Sequence, residues 1–282
     1  MHRVQPTNLT QLSVDHSKCS LILSIGSDIG IEYANRKISQ GVRVYGTYRR
    51  ISNSLKKLEV KGAGLFYCDF TDRSSVQSLV KRIVTDRLAW NELIVCPGTL
   101  EPIGRFHECD FYEWERSIEA NLLGPLHAIH GLVKMARVNA SVILFAGGGT
   151  NGTADDFSAY TMSKIALIKM TELLDSEIPE IKFSIIGPGW IRTKIHEETL
   201  GSKERCISAY AETIRRLEKD EFGSMDELME CMEWTIKQNK AVVGGRNISS
   251  QFDCWKTDLS TKFSEDGSLG KLRRFGNERL SR

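Results

Sequence analysis

At 282 residues with a 41% apolar and 26% charged composition, the chain has the size and make-up of one large α/β domain. A formal net charge of +2 gives no support for a broad basic surface of the kind that drives nucleic-acid binding. Seven cysteines are scattered without a Cys-x-x-Cys pair, which argues against a disulfide framework or zinc site and for a reducing compartment, so the cytoplasm is expected.

In chain order, residues 1–17 are polar and mixed, read as a flexible lead-in, with neither a signal peptide nor any later apolar run able to span a bilayer. From Ser20 short apolar runs alternate with amphipathic segments, the pattern of βαβ units. Ser20–Ile25 predicts a first strand, and Gly26-Ser-Asp-Ile-Gly30 a glycine turn opening a helix over about Ile31–Ser39. Such a turn cradles a pyrophosphate, because glycine admits close backbone approach and the helix N-terminus offers free N–H groups. Glu32 stands where a third glycine would complete the pattern, placing a carboxylate near the expected phosphates.

The second strand, Val42–Thr47, ends at Tyr48-Arg49-Arg50. An acidic residue there would bind ribose hydroxyls of NAD; arginine suits the 2′-phosphate of NADP, with Arg49 the first contact and Arg50 the second. The third strand, Gly64–Cys68, delivers Asp69 to the same edge, placed either to meet an adenine amino group or to cap a turn. A helix over Ser74–Thr85, a fourth strand over Glu92–Cys96, a long helical stretch from about Phe111 to Arg137 and a fifth strand over Ser141–Phe145 follow.

Ser158–Leu174 predicts a helix carrying Tyr160 and Lys164, four residues apart and therefore on one face. An ammonium beside a phenol favours phenolate, so this pair is expected to lower the tyrosine pKa and exchange a proton at a carbonyl. Tyr33 and Lys37 repeat the spacing, but beside the phosphate turn, where no substrate carbonyl has a place. A sixth strand over Lys182–Ile186, a polar lid over about 195–223 with a helix from Lys203 to Lys219, an amphipathic Ser224–Gln238 and a last strand over Ala241–Ser249 complete the domain. Residues 255–282, with basic residues near the end, are read as a tail.

Taken together, residues from about 20 to 250 resemble a classical short-chain dehydrogenase/reductase. Gly26 and Gly30 match two turn glycines, Asp69 the adenine contact, and Gly98 the last residue of the family's Asn-Asn-Ala-Gly strand end. Asn121, the Tyr160/Lys164 pair, and Pro188-Gly189 followed by Thr193 match the remaining motifs. The resemblance implies a doubly wound Rossmann-type parallel sheet with helices on both faces, forming a single domain over residues 18–254. It also implies Tyr160 as general acid, Lys164 on the nicotinamide ribose, Asn121 holding a relay water, Thr193 on the carboxamide, and a homodimer or homotetramer.

One departure concerns chemistry. The family's carbonyl-polarising serine falls on Gly147, 13 positions before Tyr160. Losing such a donor costs roughly 100- to 1000-fold in comparable sites, so Thr150, Thr153, Ser158 or backbone N–H groups of the glycine run are expected to substitute. The expected function is an NADP(H)-dependent carbonyl reductase or alcohol dehydrogenase acting on a small molecule, with NADP preferred to NAD and no metal. Two alternatives stay open: a catalytically impaired nucleotide-binding regulator, or nucleotide-sugar epimerase or lyase chemistry with transient cofactor use. His127 and His130, and His196-Glu197-Glu198, start metal-like patterns without completing them, so the histidines read as packing and Glu197 and Glu198 as lid or surface charges. Cys96 at a strand end is a minor candidate for a reactive thiol.

Overall fold

The computed structural model describes residues 18–274. Seven parallel strands run β1 Cys19–Leu23, β2 Arg43–Tyr48, β3 Gly64–Tyr67, β4 Trp90–Val95, β5 Ala136–Phe145, β6 Lys182–Gly187 and β7 Asn247–Ser249, in the spatial order β3-β2-β1-β4-β5-β6-β7. Every residue of β1 is buried, which is why its sequence is a continuous apolar run rather than an alternation. It is paired on both sides, Ile22 lying opposite Gly46 of β2 and Ile94 of β4. Gly46 is required: a Cβ there would lie 2.5 Å from the side chain of Ile25.

Helices cover both faces. Helices α1 (Asp28–Ser39), α2 (Asn53–Val60) and α3 (Arg73–Thr85) begin at Ser27, Ser52 and Asp72, whose side chains accept N–H groups of the first turn. The long helical stretch expected from Phe111 to Arg137 is broken. It divides into α4 (Phe111–Ile118), a π turn over Glu119–Leu123, α5 (Gly124–Leu132) and a short 3₁₀ turn, and β5 has begun by Ala136. Pro125 explains the break, since it has no N–H to donate to the Asn121 carbonyl one turn earlier. Helix α6 (Ser158–Glu177) is uninterrupted, and α7 (Ile195–Leu200), α8 (Ile207–Lys219), α9 (Met225–Lys237), α10 (Lys240–Val243) and α11 (Leu259–Glu265) follow.

Two apolar layers sandwich the sheet. One gathers Leu21, Leu93, Val142 and Phe183 under α3, α5 and α6; the other gathers Ile22, Ile94, Met229 and Met232 under α1 and α9. Each such side chain contributes about 1.5–3 kcal/mol by leaving water. The described part of the segment expected as a tail belongs to the second layer: Trp255, Leu259 and Phe263 are buried there. Their spacing of four residues is that of one helical face, a signal present in the sequence.

Three buried or half-buried cations secure the β6–β7 edge by bonding carbonyls at helix ends and in the turns just beyond them. Lys182 Nζ donates to the carbonyls of Thr235, Ile236 and Gln238, and Lys240 Nζ to those of Asp175, Ile178 and Ile181. Arg246 donates to those of Phe263, Asp266 and Leu269. Such carbonyls have no intrahelical partner, so each cation meets both a hydrogen-bond need and the negative end of a helix.

Candidate active site

In this strand order the connections leave to opposite faces at β1 and β4, which opens a crevice beyond their carboxyl ends. A cavity of about 1950 Å³ occupies it. Gly26, Arg49, Arg50, Asp69, Gly98, Tyr160, Lys164, Pro188, Gly189 and Thr193 all line this one cavity, so residues spread over most of the sequence converge. Two expected site residues lie behind the wall. Gly30 sits under the turn, where a Cβ would come within 2.9 Å of the Ile25 carbonyl and of Ser27 Oγ. Asn121 is fully buried.

The dinucleotide end is built for an anion. The first turn of α1, whose N–H groups have no intrahelical acceptor, borders the cavity at Asp28 and Ile29, and Ser27 caps it by accepting the Gly30 N–H at 3.0 Å. Glu32 does not oppose this, because its carboxylate turns along α1 to Arg36 at 2.8 Å. Asp28 is engaged with the chain entering α7, accepting the Lys194 N–H at 2.7 Å and lying 3.5 Å from its Nζ. Arg49 and Arg50 are exposed at the end of β2. Asp69 organises its own loop, accepting the Thr71 N–H at 2.9 Å and hydroxyl at 2.8 Å through one oxygen, while Asp72 is the cap of α3. These residues fit a dinucleotide: a turn with glycine at both ends, a helix N-terminus, two guanidinium groups and a carboxylate along one groove.

At the other end Tyr160 and Lys164 project from α6. Lys164 Nζ lies 5.7 Å from the Tyr160 ring centroid and donates to the Pro97 carbonyl at 3.3 Å. The expected lowering of the tyrosine pKa is not found: burial, and then the carboxylate of Glu198, push Tyr160 up to about 12. Lys164 is itself buried, which pushes its ammonium down to about 8. Tyr160 is therefore a neutral phenol, a proton donor at rest. Burial likewise pushes the Cys96 thiol up to about 12, which removes it as a nucleophile.

Asn121 fixes the loop after β4. It accepts the Thr99 N–H at 2.9 Å, donates to the Thr99 carbonyl at 2.9 Å, and donates to Ser117 Oγ at 3.2 Å. Gly147 packs directly on the phenol, where a Cβ would fall 2.4 Å from Tyr160 Oη. The space of the missing serine is thus taken by Tyr160. Among the expected substitutes, Ser158 Oγ already accepts the Trp114 indole N–H at 3.0 Å, and Thr150 Oγ1 lies 3.5 Å from the Gly147 carbonyl.

The lid region is tied down by side chains. Trp190 and His196 stack at 5.1 Å, Arg216 sits 4.5 Å over Trp190, and Arg215 pairs with Glu212 and Glu221. Sequence reasoning missed the most consequential residue here. Glu198, read as a lid or surface charge, points inward, accepts the Leu100 N–H and the Thr99 hydroxyl, and is held above the ordinary carboxylate pKa by burial. Nothing in the local sequence distinguishes it from Glu197.

A family profile described as short chain dehydrogenase matches residues 18–204, through β1 to β6, the Tyr160/Lys164 helix and the start of the lid. The chain belongs to this family. It is an NAD(P)-dependent oxidoreductase of the short-chain dehydrogenase type. A fatty acyl-CoA reductase of Acinetobacter baylyi is 28% identical over 181 residues, 60% of this chain and 60% of that protein. A benzil reductase forming (S)-benzoin from Saccharomyces cerevisiae is 26% identical over 201 residues, 65% of this chain and 76% of its own length. Among solved structures, a short-chain dehydrogenase/reductase from Saccharomyces cerevisiae superposes with a TM-score of 0.75 at 21% identity, covering 86% of this chain and 99% of that one. A variant actinorhodin polyketide ketoreductase with NADPH gives 0.70 at 20% identity, covering 82% and 95%. No helix among the described residues is long and apolar enough to cross a membrane.

Proposed function

We propose that this short-chain dehydrogenase is an NADP(H)-dependent carbonyl reductase or alcohol dehydrogenase with Tyr160 as its general acid and base. One observation carries the reading: Tyr160 and Lys164 open into the same cavity as the Gly26 turn and the Arg49–Arg50 pair. In this reading Arg49, then Arg50, takes the 2′-phosphate by charge-assisted hydrogen bonds. Asp69 takes the adenine amino group, and Gly98, Pro188, Gly189 and Thr193 flank the nicotinamide. The bound dinucleotide supplies the hydride in reduction. Tyr160 donates its phenolic proton to the substrate oxygen, a role suited to a phenol whose pKa stands near 12. Lys164 binds the ribose and stabilises the phenolate left behind. Asn121 acts by position, holding Thr99 at the cleft wall.

Polarisation of the carbonyl then falls to backbone N–H groups of Gly147–Gly149, supported by the place of Ser158 outside the cavity lining and the absence of side-chain space at Gly147. The reductase names of the relatives and the NADPH of the ketoreductase structure support the same direction. Free cysteines at all seven positions support a cytoplasmic protein, and the family resemblance supports a homo-oligomer.

Fluorescence titration with NADPH and NADH tests the cofactor, and a carbonyl panel with NADPH tests the chemistry. Tight NADPH binding with reduction of a ketone or aldehyde is the expected result. NADPH binding without any turnover would instead favour the regulatory alternative, to which the glycine at 147 lends its support.

A further inference from the structure

Glu198 has no part in carbonyl reduction as described, yet it occupies the cavity beside Tyr160. Its Oε2 accepts the Leu100 N–H and the Thr99 hydroxyl at 3.1 Å, Oε1 takes the other branch of that hydroxyl at 3.2 Å, and the Glu101 N–H also faces the carboxylate. A carboxylate has about four acceptor directions, so Oε1 keeps room for a donor arriving from the cleft. The nearby cations among the described residues are engaged elsewhere. Lys194 pairs with Asp28 at 3.5 Å, Arg205 with Glu101 at 3.5 Å, and Lys164 donates to Pro97. A half-buried carboxylate is thus held by neutral donors and has no counter-ion, an arrangement that is costly unless a cation arrives.

Its placement also opposes the chemistry. As a hydride adds to a carbonyl, negative charge grows on the oxygen facing Tyr160, and a neighbouring carboxylate disfavours it. Building on the reading above, we propose that the missing counter-ion comes with the substrate: the cleft takes a carbonyl compound, or the matching alcohol, that carries an ammonium group, and Glu198 is its specificity determinant. The ammonium bonds Oε1 and neutralises the carboxylate, so that proton donation by Tyr160 is no longer opposed. A substrate bearing a carboxylate meets Glu198 and, behind it, Glu101, and is rejected. The redox step is ordinary: the carbonyl carbon gains a hydride, NADPH is oxidised, the π pair moves to oxygen, and oxygen takes the Tyr160 proton. The ammonium is unchanged.

The test uses the full chain and acetophenones bearing a para aminomethyl, methyl or carboxylate group. With NADPH, kcat/KM is expected to favour the aminomethyl over the methyl ketone by roughly tenfold or more, with the carboxylate poorest. Glu198→Gln, which keeps an acceptor for Leu100 and Thr99, levels the first two to within about twofold, and Glu198→Lys reverses the order. No preference in the wild type, or an undiminished one in Glu198→Gln, overturns the proposal. Calorimetric titration of the same compounds without turnover separates it from the redox reading. Glu198-dependent binding of the amine without reduction upholds this site and sinks the reductase assignment. Reduction of the neutral ketone with no amine preference by either measure does the opposite, and neither binding nor reduction overturns both.

Discussion

The molecule contains the same four-residue Tyr/Lys spacing twice, and the two copies have opposite fates. On α1, Tyr33 donates to Glu92 at 2.7 Å and Lys37 pairs with the same carboxylate at 2.9 Å, with Ser20 completing the cluster. Every polar atom has a partner in the wall between α1 and β4, so the pair is a rivet. On α6, Tyr160 has no hydrogen-bonded partner among the described residues and Lys164 bonds only a carbonyl, and both face the cavity. Satisfied polar groups stabilise; polar groups kept unsatisfied at a cleft are available to a ligand. Spacing creates a shared face, and the neighbours decide its use.

The sharpest contrast is expected from removing each hydroxyl. Tyr160→Phe should lower kcat by roughly 100- to 10,000-fold with little change in Tm, while Tyr33→Phe should keep turnover and lose about 1–3 kcal/mol of stability in urea unfolding. Comparable activity losses in both would break the comparison. The lysines should diverge in the same sense. Lys37→Met strands Glu92 and should cost about 3–5 kcal/mol, whereas Lys164→Met should abolish activity yet raise Tm at pH 7. The sign follows from Lys164 standing near 8, below the 10.5 of the unfolded chain. The native state binds fewer protons between those values, so the penalty is complete below about pH 8 and fades as pH rises. The Tm advantage of the variant should therefore shrink between pH 8 and 10. At the far end of the cleft, Arg49→Ala should weaken NADPH about tenfold while leaving NADH nearly unchanged, read by fluorescence titration. Gly147→Ser should lower activity rather than restore a donor, because its Cβ would displace Tyr160 Oη, 2.4 Å away. The smallest effect belongs to Glu32→Gln, under about twofold in cofactor affinity, since that carboxylate already faces Arg36.

The strands were legible because they depend on local signals: apolar runs closed by glycine turns or by polar residues at strand ends. Ser20–Ile25 and Glu92–Cys96 sit within two residues of β1 and β4. Less legible were short helices. Ser52 with Leu55 and Leu58 marked α2, and Trp255, Leu259 and Phe263 marked the packed segment, but each pattern is only two or three residues long. The electrostatics of the site lay beyond sequence. Whether Lys164 lowers Tyr160 or burial raises it depends on where Glu198 and Pro97 fall, and those are set by tertiary contacts some 30 to 70 positions away along the chain.

The carbonyl-bonded cations Lys182, Lys240 and Arg246 have a consequence for ionic strength. Salt screens exposed charges over about 8–10 Å but barely touches those inside protein. The β6–β7 edge, held from within by these three side chains, is insulated from the medium, whereas Arg49 and Arg50 stand in it. Rising salt should thus loosen a phosphorylated cofactor well before it loosens the fold, so that the enzyme is switched off by its surroundings while still fully assembled.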